Sequence, residues 1–279
     1  MTGPTRRHKS KGGVVNNGCD RRTRHNSNQM ALLSYDSPTR WLVKICTKST
    51  LRPALVFAHF DDAPLSAFSV LADTRFDALN IVVCGGKPQN QEPGVWDRQC
   101  GFSCSNHAFT HRLQEYEAVN REVRCGSITL DIVDGQYQTG QPDRWDQARR
   151  KATVLIRRHR SNVIITHGWR SEHPDHRLVV DLASKVSEEL QIPLILTCDR
   201  PYFSCSGGQC RSLASRKTTS LTCSFFLHDS DWTTKIRSIA LFGSQHSALS
   251  AAFGEGWCDE AHLRYECYSL AFLNRGRAI

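Results

Sequence analysis

Ala54-Leu-Val-Phe-Ala-His-Phe-Asp-Asp62 and Val163-Ile-Ile-Thr-His-Gly-Trp-Arg-Ser-Glu-His-Pro-Asp-His176 decide how this chain folds. Each opens as a short apolar run and then breaks into histidine and aspartate. Runs of that length bounded by polar residues read as strands rather than helices. Further runs stand at Ile81–Cys84, Ile128–Ile132 and Leu194–Thr197. Between them lie longer segments whose apolar residues recur at helical spacing: Phe109, Leu113, Tyr116, Val123; then Trp145, Ala148, Ala152, Leu155, Ile156; then Leu178, Leu182, Val186, Leu190. The alternation predicts an α/β, Rossmann-like three-layer fold, with a mostly parallel sheet flanked by helices. A further helix is expected over Trp232–Phe242, and long loops over Asn90–Asn106 and Pro201–Arg216.

Length and charge set the limits around that core. The 279 residues suit one substantial domain, expected over 51–279. Residues 1–50 read as a basic, disordered leader. Within its first 25 residues, seven cations against Asp20 carry a net +6 of the whole +9. Met30 is an alternative to Met1 as the start of the folded part. No apolar run approaches the ~20 residues of a membrane helix, and no apolar segment follows the basic start as in a secretory signal. A cytoplasmic location is therefore expected. The 12 cysteines form no Cys-x-x-Cys pair, the nearest spacings being Cys100/Cys104 and Cys205/Cys210, so they read as buried thiols.

Open α/β sheets bind ligands beyond the carboxyl ends of their strands. Two polar groups sit there: His59-Phe60-Asp61-Asp62 and His173-Pro174-Asp175-His176. Two imidazoles and a carboxylate make the three-ligand set of a catalytic zinc, and His59, Asp62 and His176 supply it. Such an ion lowers the pKa of water to about 7 and polarises a carbonyl, both of which amide hydrolysis needs. If the chain turns into a helix near Ala63, His59 and Asp62 converge while Asp61 stays free to act as general base. Pro174 suits a first helical turn, which lets His173 and His176 face one site, one ligating and the other meeting substrate. A protonated His173 would stabilise an oxyanion and then protonate the leaving amine. Asp175 or another acid would orient a histidine from behind, and His167 is the substitute ligand.

At these residues the sequence resembles the LmbE-like (PIG-L type) deacetylase family, which includes de-N-acetylases of N-acetylglucosaminyl-phosphatidylinositol, of mycothiol and bacillithiol precursors and of glycopeptide antibiotics. The family's Ala-His-Pro-Asp-Asp-Glu appears as Ala58-His-Phe-Asp-Asp-Ala63, and its His-Pro-Asp-His stands at 173–176. The resemblance implies zinc, or another divalent metal such as ferrous iron, on His59, Asp62 and His176, with Asp61 as base and His173 as electrostatic catalyst. It extends over about residues 53–270. Arg112-Leu-Gln-Glu115 resembles a helix whose arginine holds the sugar, with a plain surface charge pair as the other reading, and Lys235 through Ser244-Gln245 resembles a later family pattern. Phe60 and Ala63 depart from the motif toward the glycopeptide-antibiotic variant. The activity implied by the resemblance is that of an N-deacetylase acting on a linear amide C–N bond of an amino sugar in a glycosylated natural product or small glycoconjugate. The rivals are an amidase on a thiol-cofactor precursor, such as an N-acetylglucosaminyl-inositol or malate conjugate, and a nucleic-acid-binding protein using the basic leader. A homo-oligomer is compatible with the sequence.

Overall fold

The computed structural model describes residues 37–46, 50–137, 142–203, 213 and 222–271. Its strands are β1 (Pro53–Phe57), β2 (Leu79–Val82), β3 (Gly126–Thr129), β4 (Val163–Thr166), β5 (Leu194–Thr197), β6 (Thr222–Phe226) and β7 (Tyr265–Ala271). They form one sheet in the order β3-β2-β1-β4-β5-β7-β6. The first five are mutually parallel, and β7 runs antiparallel to both β5 and β6. The helices are α1 (Pro38–Cys46), α2 (Asp62–Ser66), α3 (Phe68–Leu71), α4 (Val95–Gln99), α5 (Ser105–Val123), α6 (Pro142–His159), α7 (Pro174–Leu190), α8 (Asp229–Ala240), α9 (His246–Phe253) and α10 (Glu260–Leu263). The expected fold class is the one observed.

Strand β1 shows why the layers form. Its side chains alternate between faces. Ala54 and Val56 join a core with Ala152 and Ile156 of α6 and Val179, Ala183 and Val186 of α7. Leu55 and Phe57 join the opposite core with Trp41 and Leu42 of α1 and Phe68 and Leu71 of α3. A strand covered on both faces must be apolar at every position, and all five residues of β1 are buried. Helix α7 begins with His173 as N-cap and Pro174 in its first turn, and it ends at Gln191, whose φ of 55° is left-handed.

Several expectations need correcting. The leader was expected to run to residue 50, but α1 lies within it and buries Trp41 at 1% and Leu42 at 0% exposure, so the folded body starts earlier. Residues 1–36 and Met30 lie outside the described residues. The run expected as a strand at Ile128–Ile132 pairs two residues earlier, as edge strand β3, while Leu130 and Ile132 are buried beyond its end. The loop expected over Asn90–Asn106 contains α4. The antiparallel pair β6–β7 was not expected. Cys205 and Cys210 lie outside the described residues, while Cys84, Cys100, Cys104, Cys125 and Cys258 are free thiols. Among the described residues, no helix is long and apolar enough to cross a membrane.

Candidate metal centre at the strand ends

Strands β1 and β4 are neighbours, with β2 outside one and β5 outside the other, so the chain's crossovers diverge at this pair. Such a switch point opens a crevice at the strands' carboxyl ends. His59 follows β1 there, Asp61 stands at the N-cap position of α2, Asp62 is the first residue of α2, and His176 lies in the first turn of α7.

Three of these side chains meet. His59 Nδ1 lies 3.2 Å from His176 Nε2 and 3.4 Å from Asp62 Oδ2, and His176 Nε2 lies 3.3 Å from Asp62 Oδ1. Ligands at about 2.0–2.1 Å from a tetrahedral zinc stand about 3.3 Å apart; the two histidine nitrogens meet that spacing, and Asp62 meets it through one oxygen toward each ring. The outer nitrogens are already engaged: His59 Nε2 lies 3.2 Å from Asp175 Oδ2, and His176 Nδ1 lies 2.9 Å from both oxygens of Asp199. Each neutral ring donates outward, so the two inward nitrogens present lone pairs to one another and to a carboxylate. That cluster needs a proton or a cation at its centre.

The electrostatics agree. Burial disfavours a charged His176, but Asp62 and Asp199 outweigh it and push the group up to about 9. His59 is likewise raised, burial being overcome by Asp175 and Asp62. Asp62 is held well below the usual carboxylate range, its burial offset by His176 and His167. Asp61 behaves oppositely: burial and the neighbouring Asp62 charge push it up to about 6. His173 was expected to be protonated. Instead burial, then His59 and His176, push it down to about 4, so it is neutral at pH 7. Its Nδ1 accepts the Asp175 backbone N–H at 3.2 Å, which leaves the ring proton on Nε2.

Asp199, which the sequence reading missed, organises the rear of the site. It accepts from His167 Nδ1 at 2.8 Å and from Ser171 Oγ as well as from His176. Its signal was position alone, since it follows β5 where chemistry belongs in this fold. His167 lies beside the centre: its Nε2 is 3.4 Å from Asp62 Oδ2, which groups it with Asp62 and His176 as a candidate ligand. The same nitrogen accepts the Ala58 N–H at 3.0 Å, and the ring stacks on His176 with centroids 3.8 Å apart. Asp175 Oδ2 also accepts the Gly135 N–H at 2.8 Å. A Cβ at Gly135 would meet Asp175 Oδ1 at 2.6 Å, so a larger residue there would push the Asp175 carboxylate from this position.

Arg112 lines the adjoining cavity of about 710 Å³, but not as part of a surface pair with Glu115. It is 7% exposed, donates to Asp97 and lies 3.8 Å from Asp134. Glu115 instead accepts from Ser244, from the backbone N–H at 2.8 Å and from the hydroxyl at 2.7 Å. Lys235 forms a fully buried pair with Glu266 at 2.9 Å. Both later sequence patterns therefore make ties within the fold, and Arg112 also stands on the cavity wall.

Residues 54–187 match the family model described as PIG-L: GlcNAc-PI de-N-acetylase. Among solved structures, the chain is similar to the A40926 pseudoaglycone deacetylase at 19% identity, covering 83% of this chain and 100% of that one, with a TM-score of 0.67. It is also similar to the zinc inhibited form of teicoplanin deacetylase at 16% identity, covering 79% and 98%, with a TM-score of 0.66. The 4-carboxy-2-hydroxymuconate hydratase of Pseudomonas putida follows at 15% identity, 82% and 100% coverage, and a TM-score of 0.51. These likenesses show a shared fold, and a fold hosts more than one chemistry. The sequence matches no curated protein significantly.

Proposed function

We propose, from the match of residues 54–187 to the PIG-L (GlcNAc-PI de-N-acetylase) family model, a metal-dependent hydrolase that removes acetyl from the nitrogen of an amino sugar carried on a partly apolar glycoconjugate. The observation that carries the reading is the meeting of His59 Nδ1, the Asp62 carboxylate and His176 Nε2 within 3.4 Å, with both outer nitrogens bonded. Those three residues would hold zinc or ferrous iron, which when bound polarises an amide carbonyl and makes water more acidic.

The remaining work falls to the chain itself. Asp61 lines the cavity beside Asp62, and a carboxylate pushed up to about 6 is well matched to take a proton from attacking water near neutral pH. The amide carbon becomes tetrahedral as its oxygen gathers negative charge. His173, neutral with its proton on Nε2, donates a hydrogen bond to that oxygen. The proton held by Asp61 then passes to the departing nitrogen, the C–N bond breaks, and acetate and a free amine leave. Asp175 keeps His59 oriented throughout.

The cavity supports a substrate larger than one sugar. Its volume lies in the roughly 300–1,000 Å³ range of drug-sized ligands. Val95, Leu178 and Phe253, which line it, stay 63%, 43% and 36% exposed, forming an apolar bank beside the polar floor. An aglycone with apolar surface would cover them.

The test is amine release from N-acetylglucosamine and from its aryl and inositol conjugates, measured with the metal content of the purified protein. Release should require the metal and be fastest with an apolar aglycone. Asp61→Asn should lower kcat by about 10²–10⁴-fold while metal stays bound. Metal-independent release, or an Asp61→Asn enzyme with unchanged kcat, would refute the assignment.

A further inference from the structure

We propose that the cavity holds a second cation site, formed by Cys84 Sγ, His59 Nε2 and an Asp175 carboxylate oxygen, which takes a thiophilic divalent ion such as excess zinc or cadmium and thereby blocks the reaction. Only the effect on rate rests on the deacetylase reading.

The three side chains come from separate elements that converge on one spot. Cys84 follows β2, and its backbone N–H donates to Ala58 O at 2.9 Å, which ties it beside the residue preceding His59. His59 Nε2 lies 3.2 Å from Asp175 Oδ2. One ligand atom of each of His59, Cys84 and Asp175 lies within 4.8 Å of the others. Ligand edges around a four-coordinate zinc with one sulfur are about 3.3–3.7 Å, so the trio closes by a shift of about 1 Å. All three residues line the cavity, which gives an ion a route in.

Ligand chemistry separates this trio from the first centre. His59, Asp62 and His176 offer nitrogen and oxygen alone, whereas the second trio adds sulfur and so selects soft or borderline ions over magnesium or calcium. Both trios use His59, through opposite ring nitrogens. An ion on Nε2 displaces the proton shared with Asp175, and the thiol proton is also released. His59 then loses the carboxylate that orients it, and Asp175 becomes a ligand. Occupancy of the second trio therefore disturbs the first.

The experiment titrates protein carrying one equivalent of metal with Cd²⁺, following bound stoichiometry, cadmium–thiolate charge-transfer absorption and amine release. The wild type should bind one further ion, gain the absorption and lose activity. In Cys84→Ala, and in the closer-sized Cys84→Ser, the added ion and its absorption should be lost. Half-inhibition should then need about tenfold more cadmium or above, relative to each variant's own uninhibited rate. Magnesium should do nothing in any form. The site is refuted if the absorption and extra ion persist in both variants, because another cysteine then binds, or if the wild type gains neither. Cadmium binding that depends on Cys84 in a protein without amine release leaves the site standing and sinks the deacetylase reading. Equal inhibition of wild type and variants does the reverse.

Discussion

Replacing Asp199 by asparagine separates the two jobs this carboxylate performs. It holds His176 Nδ1 at 2.9 Å with both oxygens and His167 Nδ1 at 2.8 Å. An amide keeps one oxygen and sets an NH₂ in place of the other, so the His176 Nδ1–H, whose nitrogen lies 2.9 Å from both oxygens, meets a donor on one side inside a buried site. An unsatisfied buried donor costs about 1–3 kcal/mol. If the ring turns or changes tautomer to escape it, Nε2 leaves the metal position. Loss of such a partner typically weakens metal binding 10–100-fold, or about 1.4–2.7 kcal/mol, the same range. The second job opposes the first. Without metal, His176 is pushed up to about 9, burial being outweighed by Asp62 and Asp199, so at neutral pH a metal must displace a proton. Apparent affinity should therefore rise at least about tenfold per pH unit toward pH 9, more steeply where the raised His59 also holds a proton, with a penalty of at least about 100-fold at pH 7. Asparagine lowers the His176 pKa and removes part of that competition. Chelator competition between about pH 6 and pH 9 should show the full loss at the alkaline end, a smaller one at neutrality, and a flatter slope. Undiminished affinity at the alkaline end would refute the orienting role, and an unchanged slope would refute the proton competition.

Other consequences are simpler to measure. In the metal-free protein, the raised His176 contributes stability that is complete below its ordinary value near 6.5 and is lost as pH rises through about 9, a trend that urea unfolding at stepped pH should reproduce. Trp41→Ala should cost about 3–5 kcal/mol, since the ring is 1% exposed in the core; a loss below about 1 kcal/mol would place α1 outside the fold. Lys235→Met strands the buried Glu266 carboxylate, and loss of one partner of such a pair costs about 3–5 kcal/mol. The low end is expected, because Phe68 N–H, the Ser69 backbone and hydroxyl, and the Tyr268 hydroxyl still donate to Glu266; a melting temperature equal to wild type would show that the pair contributes nothing.

What could be read from the sequence was whatever local order carries. A strand buried on both faces must be apolar at each position, so β1, β4 and β5 announced themselves, and the polar residues after them marked the crevice. The amphipathic stripes of α5, α6 and α7 were equally plain. Asp199 was not, because its meaning lies in partners 23 and 32 residues away and no spacing rule links them. Arg112 left two readings open for a similar reason: its partner Asp97 sits on α4, a five-residue helix inside a stretch read as loop. Helix α1 was hidden by charge, since Trp41 and Leu42 follow a basic segment that drew the expected boundary past them. The neutrality of His173 depends on burial and on two neighbouring imidazoles, quantities that exist only after folding.

The join between α8 and α9 has a wider consequence. Ser244 is held by Glu115 of α5, and Gln245 accepts from Trp96 Nε1 of α4 at 3.1 Å, just before α9 supplies Leu249 and Phe253 to the apolar bank. The acids and imidazoles sit on the ends of β1, β4 and β5 and the start of α7, with Asp175 of α7 reaching Gly135. Two side-chain clasps and the packing of Leu249 on Leu65 of α2 therefore fix α9 against the site, and a change at its exposed Phe253 can reshape the apolar bank while leaving the acids and imidazoles where they stand.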